Sequence, residues 1–223
     1  MPPRGLDPTG IILLDKPAGP SSFALVSDTR RRTGAKTGHA GTLDPFATGL
    51  LVLLSGRATK LAPRFVGLDK RYLTEIDLTS RTTTGDPEGE IIGVHKPPTA
   101  DELAPQLLEL TGEIELPIPT ASAVKIDGER AYKLHRRGVT VEMPLRRSTV
   151  HELTLVDYAD GVATLDLRVS SGTYVRAIAD ALGGHCWSLR RLAVGPFSVD
   201  EADPATVIPA ADALVRLAAA VPS

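Results

Sequence analysis

The sequence predicts an α+β protein built on a mixed, mostly antiparallel sheet, and three observations support that class. Segments with strand character follow one another without regularly intervening helices, which argues against a doubly wound parallel sheet. The clearest of these segments alternate apolar and polar residues with period two. The length, 223 residues, suits one domain, or one with a small appendage, that buries a sizeable core.

The apolar run from Gly10 to Lys16 reads as a buried strand that leaves through the loop Lys16-Pro17-Ala18-Gly19-Pro20. Ser21 and Ser22 are candidate N-caps for a helix through Phe23, Val26 and Arg30-Arg31-Arg32, with Gly34 as its stop. Residues 36–48 are dense in Gly, Thr and Pro and read as an ordered loop, a type of segment that often carries function. Leu50 to Leu54 is a strand and Ala58 to Val66 a short helix. Tyr72, Thr74, Ile76 and Leu78 alternate with Leu73, Glu75, Asp77 and Thr79 at strand period.

Further on, Asp101 to Leu110 reads as a helix, followed by an extended segment from Gly112 to Leu116. Val150 to Tyr158 and Val162 to Val169 read as strands, the second with Ala163, Leu165, Leu167 and Val169 on one face. Thr173 is placed to cap a helix whose Val175, Ile178, Ala179 and Leu182 form an apolar stripe ending at Gly183-Gly184. After Phe197 come an acidic turn and a terminal helix from about Pro209 to Val221.

No apolar stretch reaches the roughly 20 residues of a membrane span, and Met1-Pro2-Pro3-Arg4 lacks a signal-peptide core, so a cytoplasmic protein is expected. A single cysteine, Cys186, excludes an internal disulfide. The net charge of −2 hides two blocks. Residues 30–71 carry nine Lys or Arg against two Asp, and residues 75–115 carry ten acids against Arg81 and Lys96. The first block suits a phosphate-binding surface and the second a solvated face, although charge runs are often only surface.

Chemistry concentrates in Gly38-His39-Ala40-Gly41-Thr42-Leu43-Asp44-Pro45. Two glycines permit close backbone approach, and the proline after Asp44 pushes that residue toward extended geometry. By composition alone the same stretch could be a tight turn in which Asp44 caps Pro45-Phe46-Ala47. The sequence has no paired-histidine or paired-cysteine metal spacing, phosphate-binding glycine loop, dinucleotide fingerprint or serine nucleophile elbow. Metal hydrolysis, nucleotide hydrolysis and serine hydrolysis therefore have little support. What remains is one carboxylate in a Gly-rich loop with cations on both sides and two tyrosines, Tyr72 and Tyr174, beside cations. Such tyrosines can stack on bases or simply pack. Arg176 falls in the first turn of its helix, where the macrodipole disfavours a cation unless a carboxylate or solvent offsets it.

Six blocks in order carry a family resemblance: Gly10 to Pro17 (GIILLDKP), Gly38 to Gly49 (GHAGTLDPFATG), Asp69 to Tyr72 (DKRY), Ser122 to Tyr132 (SAVKIDGERAY), Gly172 to Arg176 (GTYVR) and Leu189 to Val194 (LRRLAV). On these the sequence resembles the TruB family of bacterial tRNA pseudouridine synthases from residue 10 to about 200. The resemblance implies the pseudouridine synthase catalytic fold: a large mixed, mostly antiparallel sheet with flanking helices and a central RNA-binding cleft. It implies a catalytic domain over residues 1–200 with an RNA-clamping insertion at about 120–150, then a short helical tail over 201–223 without the C-terminal RNA-binding domain of relatives.

The implied function is isomerisation of uridine-55 in the T loop of tRNA to pseudouridine, after base flipping, without metal or organic cofactor. Asp44 matches the catalytic carboxylate, Tyr72 the residue stacked on the target base, and Arg176 the partner of that carboxylate. Tyr174 and Leu189 match further substrate contacts, and His39 a histidine associated with the flipped nucleotides. Arg30 and Arg31, with Arg32, and Lys125, Arg136 and Arg137 become RNA-backbone contacts. Between Arg176 and Leu189 the chain is shorter than in those relatives, with Gly183-Gly184-His185 replacing a longer linker. The expected partner is the T arm of tRNA, bound by a monomer with no obligatory protein partner. Alternatives are a non-catalytic tRNA-binding or folding protein and a synthase of the same family acting on another RNA.

Overall fold

The protein was analysed as a computed structural model that describes residues 9–220. The readings of Met1 to Arg4 and of Val221 as the end of the last helix lie outside the described residues. The chain begins with β1 (Gly10–Lys16), α1 (Ser22–Thr33), β2 (Thr37–His39), β3 (Thr48–Ser55), a 3-10 turn at Gly56–Leu61 and α2 (Ala62–Val66). β4 (Lys70–Asp77), β5 (Ser80–Thr82), β6 (Ile91–Val94), α3 (Ala100–Glu109) and β7 (Gly112–Pro117) follow. Next are β8 (Lys125–Ile126), β9 (Glu129–Arg130), α4 (Ala131–Arg136), β10 (Leu145–Ala159), β11 (Val162–Val169) and α5 (Val175–Ala181). β12 (His185–Val194), β13 (Phe197–Ser198), a 3-10 turn at Val199–Glu201, β14 (Ile208–Pro209) and α6 (Ala210–Ala219) complete it.

The chain forms two compact units, one made of residues up to Leu73 and from Leu189 onward, the other of Thr74–Ser188. In the first unit the strand order is β14-β1-β3-β12, with β2 beside β3 and β13 beside β12. β1 and β3 pair antiparallel, whereas β3 and β12 run parallel with Thr48 opposite Arg190 and Gly49 opposite Arg191, so the sheet is mixed. Every residue of β3 from Gly49 to Ser55 is buried because both faces are covered, which is why this strand reads as an unbroken apolar run. On one face Ile11, Leu13, Leu50, Val52 and Leu54 pack with Phe65 of α2, Phe197 and Leu217 of α6. On the other, Ile12, Leu14, Leu51 and Leu53 pack with Val26 of α1. Fully burying each such side chain contributes about 1.5–3 kcal/mol, so this double layer is the main support for whatever its loops carry.

α1 starts and stops where its sequence says it should. The Ser21 side chain accepts a hydrogen bond from the Ala24 amide, and Gly34 closes the helix at φ 69°, a conformation glycine adopts without strain. Arg30, Arg31 and Arg32 occupy the last turn, where the helix dipole favours cations.

In the second unit the order is β4-β11-β10-β7, and β10 pairs antiparallel with both β11 and β7. Ala163, Leu165, Leu167 and Val169 form the buried face of β11, as their alternation predicts. Val175, Ile178, Ala179 and Leu182 bury the apolar stripe of α5. A capping box between Thr99 and Glu102 opens α3.

Four local expectations need correction. The segment expected to be all loop contains β2, whose Thr37, Gly38 and His39 pair with Ser55, Leu54 and Leu53. The short helix expected over 58–66 is a 3-10 turn followed by α2. Thr173 does not cap α5; its hydroxyl donates to the Ser170 carbonyl at 2.9 Å, and Tyr174 occupies the N-cap position without a side-chain bond. The acidic block is not uniformly solvated, because Asp86 within it is buried.

Candidate active site

In the loop that joins β2 to β3, Asp44 is held between two immobilised neighbours. On its N-terminal side, the Ser22 hydroxyl accepts from the Leu43 amide and donates to the Leu43 carbonyl, both at 2.9 Å. On its C-terminal side, the Pro45 carbonyl accepts from the Gly19 amide at 2.9 Å and from Lys16 Nζ at 3.0 Å. The Ala47 amide donates to the Asp44 carbonyl at 3.2 Å, so residues 44–47 form a turn. The main chain of Asp44 is thereby fixed from both sides.

Two buried cations hold this loop. Lys16 is fully buried, and its ammonium donates to the carbonyls of Pro17 (2.9 Å), Pro45 (3.0 Å) and Ala47 (2.6 Å). The Arg191 guanidinium donates to the carbonyls of Leu50 (2.7 Å), Gly41 (3.2 Å) and Thr42 (3.5 Å). Main-chain carbonyls carry partial negative charge and help to solvate a buried cation. Glycine is required where the loop meets β12: Gly49 has φ 98°, and a Cβ there would lie 2.2 Å from the Arg191 carbonyl oxygen.

The other site residues of the first unit surround this framework in sequence and in the sheet. His39 ends β2 half-buried, with Nδ1 buried and no hydrogen-bond partner among the described residues. Burial, and then the Arg191 cation, push its pKa below the ordinary histidine value, so the imidazole is held neutral. Tyr72 is buried on the same face of β4 as Lys70, Thr74 and Ile76. Lys70 donates to the carbonyls of Val66 (2.6 Å) and Leu68 (2.5 Å). Its burial and the nearby Arg191 pull its pKa down to about 8, against the opposing effect of Asp69. Leu189 is buried, and its carbonyl accepts from the Thr48 hydroxyl at 3.5 Å, a bond between β12 and the exit of the Asp44 loop.

Tyr174 and Arg176 belong to the second unit. Tyr174 borders a shallow depression with Ile114, Arg146, Ser148 and Thr173. Arg176 is almost completely buried, and its guanidinium lies 3.3 Å from the Asp86 carboxylate, which is itself buried. It also donates to the carbonyls of Thr84 (2.8 Å) and Ala121 (3.0 Å). A carboxylate therefore does offset the position of Arg176 near a helix start, and Asp86 supplies it. Asp86 is fixed in turn by the Thr84 hydroxyl at 2.5 Å and the Glu88 amide at 3.1 Å.

The expected RNA-backbone cations lie at the surface of their units. Arg30 donates to the Thr37 carbonyl at 2.9 Å, and Arg31 and Arg32 both pair with Asp28. Lys125 opens the β8–β9 hairpin. Arg136 lies over the Tyr132 ring, 5.8 Å from its centre, and Arg137 pairs with Glu129 at 2.8 Å. Among the described residues no three His, Cys, Asp or Glu side chains cluster closely enough to hold a metal ion. No helix among them is long and apolar enough to cross a membrane.

Sequence reasoning missed three supporting residues: Lys16, Arg191 and Asp86. The first read as the polar end of a strand, the second as one of two adjacent arginines, and the third as part of an acidic run. Only Lys16 offered a signal, as a lone cation closing an apolar run directly before a Pro/Gly loop.

The comparisons with known proteins bear on the family and the fold. The N-terminal-domain model of the TruB family of pseudouridylate synthases matches residues 30–175, more than half of the chain. The tRNA pseudouridine synthase B of Aromatoleum aromaticum (strain DSM 19018 / LMG 30748 / EbN1) is 42% identical over 223 residues, covering 96% of this chain and 72% of the relative. That of Thermobifida fusca (strain YX) is 42% identical over 229 residues, covering 95% and 78%. Among solved structures, the crystal structure of a Cbf5-Nop10-Gar1 complex is similar with a TM-score of 0.68 at 27% identity, covering 87% of this chain. The present chain spans about half of that structure's chain, 51%. A crystal structure of a pseudouridylate synthase, at 17% identity and a TM-score of 0.52, shares the fold. The matched region includes the Asp44 loop, β4 and the start of the Arg176 helix, and on these grounds the chain belongs to the TruB family of pseudouridylate synthases.

Proposed function

We propose that this chain converts a uridine of tRNA to pseudouridine, and that its target is uridine-55 in the T loop. The relatives named tRNA pseudouridine synthase B support the substrate class. The observation that carries the reading is the double clamp on Leu43 and Pro45, which fixes the main chain of Asp44. The reaction breaks the N1–C1′ bond of the uridine, rotates the base and joins C5 to C1′. The proton leaves C5 and N1 gains one, so atoms and charge balance. A single carboxylate suits this sequence, acting as nucleophile or base and leaving again, provided it does not move while the base is detached.

Asp44 is the catalytic residue of this proposal. Tyr72 stacks on the target base, while His39, Tyr174, Arg176 and Leu189 contact the substrate. Residues 1–200 act as the catalytic domain and the segment at about 120–150 clamps the RNA. Arg30, Arg31, Lys125, Arg136 and Arg137 contact its backbone, and the enzyme works as a monomer without a cofactor. A neutral His39 suits insertion among bases, because it adds no charge that must be desolvated.

Tritium release from tRNA transcripts labelled at uridine C5 tests the activity. Wild type releases label, and Asp44→Asn lowers release by about 10⁴-fold or more, the scale of losing an essential catalytic group. Mapping the modified nucleotide then locates the target. Release at another uridine, or only from another RNA, would replace the T-loop assignment. Tight tRNA binding without release from wild type would favour a tRNA-folding protein.

A further inference from the structure

We propose that Phe23, on the outer face of α1, is a base-stacking residue for the substrate RNA. This rests on the function proposed above and names a contact that the family motifs do not include. α1 packs on the sheet through Ser22, Val26 and Thr29, and leaves the Phe23 side 66% exposed. A lone exposed apolar residue is ordinary. Phe23 is distinguished by what surrounds it on its own helix.

Its neighbour Ser22 makes both hydrogen bonds to Leu43, the residue before Asp44. The ring is therefore carried on the same anchored turn that fixes the Asp44 loop, next in sequence to the anchoring residue. At 100° per residue, Arg30 and Arg31 return to the Phe23 side of the helix, about 10–12 Å along its axis. The first turn carries no acid, and three arginines occupy the last. Asp28, paired with Arg31 and Arg32, is the one acid among the twelve residues of α1. This face thus offers an aromatic ring beside the loop and guanidinium groups one or two nucleotides away. That combination fits a strand of bases and phosphates, and it disfavours a second copy of the same cationic face or an apolar peptide. Phenylalanine has no hydrogen-bonding group, so the contact is stacking without base identity.

The test uses the full chain and unmodified tRNA transcripts carrying C5 label. Phe23→Ala raises the Kd for tRNA and the KM about 10-fold, within the range for losing one stacked base, while kcat stays within about twofold and Tm stays within about 1 °C. Phe23→Trp binds as wild type does. Phe23→Leu keeps the apolar surface without a π face and behaves like Phe23→Ala. The slope of log Kd against log salt stays the same in Phe23→Ala, whereas Arg31→Ala flattens it by about 0.9. Wild-type affinity in Phe23→Ala or Phe23→Leu, or a loss confined to kcat, overturns the proposal. Label release by the wild type is scored separately, so failure of the activity and failure of the stacking contact are distinguishable.

Discussion

The Asp44 loop and the segment over residues 121–149 are held in opposite ways. The loop is fixed by long-range bonds from buried groups: Lys16 reaches Pro45 and Ala47, Ser22 reaches Leu43, and Arg191 reaches Gly41, Thr42 and Leu50. Over 121–149 only Ser122 and Ala131 are buried. Apart from the Arg176 bond to the Ala121 carbonyl, the contacts described in its first half are local, such as Arg130 to the Ala123 carbonyl and Arg137 to Glu129, and one residue pair holds each end of the β8–β9 hairpin. Exposed pairs of this kind contribute about 0–1 kcal/mol each. Under the proposed function, the carboxylate that needs the best placement sits where local opening costs most, and the cations assigned to a polyanion sit where it costs least.

Lys16→Met gives the largest effect that would test this contrast. It strips a buried ammonium from three carbonyls, and we expect a loss of about 4 kcal/mol in denaturant unfolding together with a large fall in kcat. A variant with wild-type stability and turnover would show that the loop does not depend on its buried cation. Asp86→Asn comes next. It removes the buried carboxylate 3.3 Å from the Arg176 guanidinium, for an expected loss of about 3 kcal/mol, readable as a lower unfolding midpoint.

Replacing both Arg136 and Arg137 by Ala should leave stability within about 0.5 kcal/mol and weaken tRNA binding, with the salt slope reduced by about 2. A drop in stability comparable to that of Lys16→Met would erase the distinction between the two regions. The smallest effect is in pH. His39 and Lys70 both have lowered pKa values in the folded chain, the second to about 8, so the unfolded chain binds more protons at each. Stability contributed by these groups therefore rises with pH, for Lys70 between about 8 and its ordinary 10.5 and for His39 as pH climbs toward 6.5. Chemical denaturation of wild type and Lys70→Met at pH 8 and pH 10 reads the first window, and wild type should gain on the variant as pH rises.

Where side chains follow a period, the fold is legible in the sequence. Ser21 and Gly34 bound α1, the alternation from Tyr72 to Ile76 marks β4, and Ala163 to Val169 mark β11. β12 escapes because its inward positions include His185 and Arg191, which interrupt any apolar alternation. A cation buried against main-chain carbonyls leaves little pattern, since every residue has a carbonyl to offer: Lys16 stands out only by closing an apolar run, and Arg191 not at all. Asp86 is equally silent: it is buried beside Arg176, ninety positions along the chain, while Gly85, Pro87 and Glu88 around it give no sign of burial. Motif blocks located the candidate catalytic loop, while most of its supports became visible only in three dimensions.

Arg191 reaches Leu50 across 141 positions of sequence, and the parallel pairing of β3 with β12 spans the same gap. During synthesis the loop around Asp44 therefore has only its N-terminal braces, from Lys16, Gly19 and Ser22, until the chain through Arg191 has been made. At about 5–20 residues per second that interval lasts on the order of ten seconds, during which the continuous 74–188 stretch is made. Loop closure over such a separation also slows the final step relative to local structure. The main chain around Asp44 thus gains its full set of braces only after residues far along the chain have been made.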